Sequence, residues 1–149
     1  MTTHPACELC NQTGAEAVWS NDRCRVVLVG DIHYPGFCRV IWGRHAKEMT
    51  DLAADDRQHL MAVVWQVESA VREAMMPDKI NLACLGNLVP HVHWHVIPRF
   101  VDDVHFPSPV WAAIQRPPVL QDLATRSAML PLLREAILRN TAQLSWQGN

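Results

Sequence analysis

Three histidines occupy alternate positions in the run His91-Val92-His93-Trp94-His95-Val96-Ile97. Strict alternation of polar and apolar residues is the period of a half-buried β-strand. The spacing therefore puts His91, His93 and His95 on one face and turns Val92, Trp94 and Val96 toward a core. Same-face neighbours on a strand lie roughly 7 Å apart, so the rings are able to converge on one ligand or metal. Imidazole has an unperturbed pKa of about 6.5, which makes it a nucleophile, a proton carrier and a metal ligand near neutral pH. A single strand histidine is ordinarily a solvated or hydrogen-bonded residue. Three in register point to a functional site.

A second group with chemistry of its own is the Cys-x-x-Cys of Cys7 and Cys10, followed by the turn-like Asn11-Gln12-Thr13-Gly14. In a reducing compartment this motif reads as half of a zinc site or as a redox pair, and a redox pair normally opens a helix in a thioredoxin-like unit. No such unit follows it. The other half of a zinc site would have to come from elsewhere in the chain, and histidines are available. The five cysteines are an odd number and argue against a disulfide framework. Cys24, Cys38 and Cys84 read as core residues of strands.

The elements that must position these groups follow from pattern. Segments 17–20, 24–29 and 37–42 are short and rich in Val and aromatic residues, with turn residues between them. Their connections are too short for crossover helices, so they read as antiparallel. From 51 to 76, Leu60, Val63, Val64, Val67, Ala70, Val71 and Ala74 recur at spacings of three and four, an amphipathic helix with one face on the sheet. Thr50 or Asp51 is placed to cap it or a preliminary turn, and Pro77 stops it. Segments 80–85 and 91–97 are the fourth and fifth strands. A short helix is expected at 110–115 and a last one from Pro131 through Ile137, Pro being tolerated in a first turn. Strands with one long helix among them describe an α+β fold.

With 49% apolar and 19% charged residues in 149, the composition excludes a disordered chain. A net charge of −2 offers no basic field for a nucleic-acid backbone, so the expected partner is a small molecule. No apolar run is long enough to span a bilayer, and a cytoplasmic location is expected.

The run from His91 matches the pattern His-φ-His-φ-His-φ-φ, where φ is apolar, without a gap. The chain thereby resembles the histidine-triad (HIT) nucleotide hydrolases and transferases. Pro35-Gly36 before the third strand, Arg44-His45 after it, Asp51-Leu52, Gly86-Asn87 and Pro98-Arg99 fit as well. The resemblance implies a HIT-like fold: a five-stranded antiparallel sheet with one long and one or more shorter helices, in a single domain 1–149. Its core would cover about 7–112 and a C-terminal helical extension about 113–149. It also implies a homodimer in which two such sheets join.

By that resemblance His93 attacks the α-phosphorus of a nucleotide, and water hydrolyses the resulting nucleotidyl-imidazole. His95 would bind a phosphate oxygen or pass a proton to the leaving group. Attack needs the other nitrogen of His93 protonated and held by an acceptor, for which a backbone carbonyl of the neighbouring chain is expected. Asn87 would donate to the phosphoryl oxygens, Asp31 and Ile32 would hold the ribose and line the base pocket, and Trp111 would cover it or lie in the core. Family members with an N-terminal Cys-x-x-Cys complete a zinc site, which transfers here to Cys7, Cys10, His45 and His91, a closed and structural set. Two departures stand out: Leu88 replaces a common Ser or Thr, and Phe37 replaces a common His. Two other readings stay open, namely a regulatory module that binds nucleotide with little turnover, and a hydrolase whose catalytic ion is held by His91, His93 and His95.

Overall fold

In the computed structural model, which describes residues 4–11 and 15–144, five strands form one antiparallel sheet. They are β1 (Glu16–Ser20), β2 (Cys24–Leu28), β3 (Cys38–Trp42), β4 (Lys79–Ala83) and β5 (His93–Arg99), in the spatial order β1-β2-β3-β5-β4. Residues 12–14 of the turn expected after Cys10 lie outside the described residues. The helices are α1 (Ala54–Met75), α2 (Leu120–Ser127) and α3 (Leu130–Thr141).

Alternation along the strands gives the sheet two unlike faces. Cys24, Val26 and Leu28 of β2, Cys38, Val40 and Trp42 of β3 and Val96 of β5 form the core with Leu60, Val63, Val64, Val67, Ala70 and Val71 of α1. Every apolar position read from the spacing along α1 is buried. Each large side chain so removed from water contributes roughly 1.5–3 kcal/mol. The opposite face holds Arg25, Arg39, Ile41, His93 and His95, which the register sets in neighbouring strands.

The start of α1 differs from the expectation. Residues Met49–Asp51 form a separate 3-10 turn closed by a reciprocal Glu48–Asp51 capping box, and α1 begins at Ala54 without a side-chain cap. Asp55 and Asp56 in its first turn favour the positive end of the helix instead. Met76 ends α1 in the left-handed conformation just before Pro77, as expected. Gly36 has φ +89°, and a Cβ there would lie 3.1 Å from the Met75 side chain, so the turn that feeds β3 requires glycine.

The C-terminal part also departs from the sequence reading. Residues 110–115 are turn and irregular backbone, not a helix, because their apolar groups Val110, Trp111 and Ile114 do not share a buried face. Instead α2 forms at Leu120–Ser127, a stretch whose apolar residues are mostly exposed and gave no core-facing pattern. The tail helix α3 packs within the chain: Leu133, Ala136 and Ile137 are buried and join the core beneath α1. Cys24 and Cys38 are core residues, whereas Cys84 falls beyond β4 and is only half-buried. No helix among the described residues is long and apolar enough to cross a membrane.

Candidate active site and metal cluster

His93 and His95 project from β5 on the face away from α1, with ring centroids 4.8 Å apart in an edge arrangement. His91 does not share that strand face, since β5 begins at His93. The backbone leaves the ladder at Val92, whose N–H bonds the Ala46 carbonyl and whose carbonyl accepts from Trp42 N–H. The His91 ring is thereby turned toward the N-terminal segment. The three imidazoles do not converge, which is where the alternation rule fails.

What His91 contributes to its neighbour is a carbonyl. His93 Nδ1 lies 2.6 Å from the His91 backbone oxygen and donates to it. This assigns the proton to Nδ1 and leaves the Nε2 lone pair available. The acceptor belongs to the same chain, two residues back, and not to the neighbouring chain as expected. Burial pushes the His93 imidazole below its ordinary range, opposed by this carbonyl and reinforced by Arg39. His95 is pushed down to about 3 by burial, then by His93 and Arg39. Both rings are therefore neutral near pH 7, the form a nitrogen nucleophile requires.

Aromatic side chains frame the pair. Phe37 lies 5.6 Å from the His95 ring, in the place where the resemblance suggested a missing imidazole. Trp111 stands 5.0 Å from His95 at an edge angle and is about half exposed, so it covers His95 and is not core. The loop that carries it is pinned by Arg99, which donates to both carboxylate oxygens of Asp103, to Asn81 and to the Ser108 carbonyl. Arg116 closes the same loop on the Asp103 and Phe106 carbonyls. Sequence reasoning missed this lock. Its signal, Arg and Asp four apart, is too common to single out.

The remaining candidates are more scattered. Asp31 Oδ1 accepts the His33 N–H at 2.8 Å, so the carboxylate builds its own turn. With the exposed Ile32 it borders a cavity of about 340 Å³ whose other walls include Phe37 and Arg134. Phe37 both lines that cavity and lies against His95. Asn87 and Leu88 are exposed on the loop between β4 and β5.

Cys7, Cys10, His45 and His91 come together from three parts of the chain. Their four ligand atoms lie within 4.8 Å of one another. The Cys7 and Cys10 sulfurs are each 3.5 Å from His91 Nδ1, and Cys10 Sγ is 3.4 Å from His45 Nδ1. Tetrahedral bonds of about 2.3 Å to sulfur and 2.0–2.1 Å to nitrogen would space S and N about 3.6 Å apart, so the set fits zinc. His91 Nε2 donates to the Trp42 carbonyl at 2.7 Å, which directs the Nδ1 lone pair at the thiols in the manner of a metal-ligating imidazole. Arg25, which carried no signal in the sequence, donates to the Leu9 carbonyl at 2.6 Å and fastens the segment to β2.

The chain is similar to known proteins in sequence and fold. The family model described as "HIT domain" matches residues 11–102. A curated relative, the "AP-4-A phosphorylase" of Mycobacterium tuberculosis, is 28% identical over 107 residues, covering 65% of this chain and 55% of its own length. The chain thus spans about half the length of that relative. Among solved structures, a histidine triad protein of Bradyrhizobium japonicum is 31% identical with a TM-score of 0.69, covering 83% of this chain and 90% of its own. One of Marinobacter aquaeolei is 29% identical with a TM-score of 0.64, covering 82% and 90%. A Zn-bound histidine triad family protein of Mycobacterium smegmatis shares the fold at 22% identity and a TM-score of 0.62, covering 93% and 97%. With the triad, the antiparallel five-stranded sheet and the family model in agreement, the chain belongs to the HIT domain family.

Proposed function

We propose that this chain is a nucleotide hydrolase that cleaves at the α-phosphate of AMP-X substrates through a nucleotidyl-imidazole on His93. One observation carries the reading: the Nδ1–H of His93 is held by the His91 carbonyl, so a neutral ring presents Nε2 as nucleophile. In the first step an Nε2–P bond forms while the bond from the α-phosphorus to X breaks, and X leaves with the bonding pair. In the second, water attacks phosphorus and gives up a proton to the solvent, balancing the one X takes up on leaving, the N–P bond breaks, and AMP departs as the imidazole recovers its lone pair. Neutral His95 is beside the reacting centre and serves as a hydrogen-bond partner to the phosphoryl oxygens or to X.

The test is chromatography of products after incubation with adenosine phosphoramidate and with diadenosine polyphosphates, each with and without orthophosphate. AMP as the product in both media supports hydrolysis. The name of the Mycobacterium tuberculosis relative favours a second reading in which orthophosphate replaces water as acceptor, and ADP appearing only with orthophosphate would favour it. Binding of AMP without any product would sink both in favour of a regulatory module.

The catalytic-ion reading loses its support, because both nitrogens of His91 are engaged by the cysteines and Trp42. The same engagement supports a structural zinc on Cys7, Cys10, His45 and His91, which would tie the N-terminal segment to the entry of β5. The expected result is one zinc per chain and a melting temperature at least about 5 °C lower after chelation, since metal binding is folding free energy. The Cys10→Ser variant should lose the metal. A metal-free protein that melts at the same temperature with and without added zinc would end this assignment.

A further inference from the structure

On β3 the register sets Arg39 directly opposite His95 and Ile41 opposite His93. The cross-strand partner of Arg39 on the other side is Val27, an apolar residue that cannot receive its hydrogen bonds. A half-buried arginine therefore rises from the triad face itself. Its Nε is buried and has no hydrogen-bond partner among the described residues, and the same is true of His95 Nδ1. Two unsatisfied polar atoms on directly paired residues of neighbouring strands are costly, and a polyoxygen ligand would satisfy both.

The charge of the site makes the same demand. Leu88 brings no hydroxyl and Asn87 is exposed on its loop, so neither side chain supplies a buried donor beside the two rings. A phosphoryl group under displacement carries negative charge on its non-bridging oxygens, which preorganised donors stabilise most effectively in a partly dry site. Arg39 is the cation whose field reaches both rings. Guanidinium is also the side chain whose planar fork fits two such oxygens at once.

We propose that Arg39 binds the non-bridging oxygens of the α-phosphoryl group, placing a cation from β3 against the anion that His93 attacks. The inference rests on the nucleotide reading above and names the residue that supplies charge to it. No bond is made or broken at Arg39. The carboxylate of Glu8, set between the two cysteines, is the charge that faces Arg39 from the N-terminal segment. Bound phosphoryl oxygens would compete with it for the guanidinium.

The test is calorimetric binding of AMP and of adenosine to the full chain, for wild type, Arg39→Gln and Arg39→Lys, with circular dichroism confirming that each is folded. Loss of a charge-assisted bidentate contact should weaken AMP about tenfold or more in Arg39→Gln. Adenosine, which lacks the phosphate, should bind within about twofold of wild type, and Arg39→Lys should recover part of the AMP affinity because it keeps the charge without the fork. If Arg39→Gln does not fold, the lysine variant decides by the same comparison. Unchanged AMP affinity, or equal loss of AMP and adenosine, would overturn the proposal. A wild type that binds neither compound would bring down the nucleotide reading itself, a result distinct from wild-type binding that ignores Arg39.

Discussion

If the chain works as proposed, His93→Ala is expected to lower AMP release by at least about 10⁴-fold, because in that reaction the ring forms the covalent bond and no neighbour among the described residues is placed to replace it. His91 is turned to the cysteines, and His95, although neutral, has no carbonyl holding its Nδ1 among the described residues. The change removes one hydrogen bond, to the His91 carbonyl, on the sheet face opposite the core. Its cost to the fold should therefore be on the order of 1 kcal/mol. A zinc content equal to wild type would show that the cluster behind His91 is intact. The smaller variant His93→Gly offers a second readout, since free imidazole added to it should restore part of the turnover. Residual activity within about tenfold of wild type would rule out a covalent intermediate on this residue.

The largest stability effect is expected at Asp103. Arg99 is only 2% exposed, and its Nε and Nη2 reach the two Asp103 oxygens at 2.8 and 3.1 Å. The carboxylate also accepts the N–H groups of Phe100, His105 and Phe106 and the Tyr34 hydroxyl. Asp103→Ala leaves a buried guanidinium without its counter-charge, and breaking such a pair costs about 3–5 kcal/mol. The exposed pair Arg139–Glu73 is shorter, at 2.6 Å, yet its removal should cost under about 1 kcal/mol, because water and side-chain entropy cancel most of the attraction. Chemical denaturation of the two variants side by side checks this ordering, and equal losses would refute it.

The same carboxylate sets an acid limb. Burial would raise its pKa, but the hydrogen bonds from Arg99, Phe100, His105 and Tyr34 outweigh that and bring it to about 2. A folded value below the unfolded one, about 3.9, means that the stabilisation is present above pH 4 and is lost as pH falls from about 4 toward 2. Asp103→Asn should flatten that part of the stability curve. Trp111 rides on the loop that this pair anchors, so its fluorescence should change together with the unfolding signal.

The features legible in the amino-acid sequence are local ones. The triad, the Cys-x-x-Cys, the buried face of α1 and the stop at Pro77 each depend on neighbours in the chain and on a fixed period of 2 or 3.6 residues. The alternation Phe37-x-Arg39-x-Ile41 is equally local, but it puts Arg39 on the triad face only once β3 is paired with β5. The helix α2 gave no such signal, because its apolar side chains do not face a core.

Residue type and spacing singled out the histidine run and the Cys-x-x-Cys, and the family resemblance added His45; the fold gathers Cys7, Cys10, His45 and His91 and sets His93 beside His95. How they divide between two sites is a matter of tertiary contacts. His91 is separated from the other two imidazoles because β5 starts two residues later than alternation implied, and its ring meets thiols that come from 81 and 84 positions away. The folded chain likewise makes the His91 carbonyl the acceptor for His93, sets Arg39 across from His95, and buries Arg99 with Asp103. Strand register and burial are properties of the assembled sheet. A chain read one neighbourhood at a time contains neither.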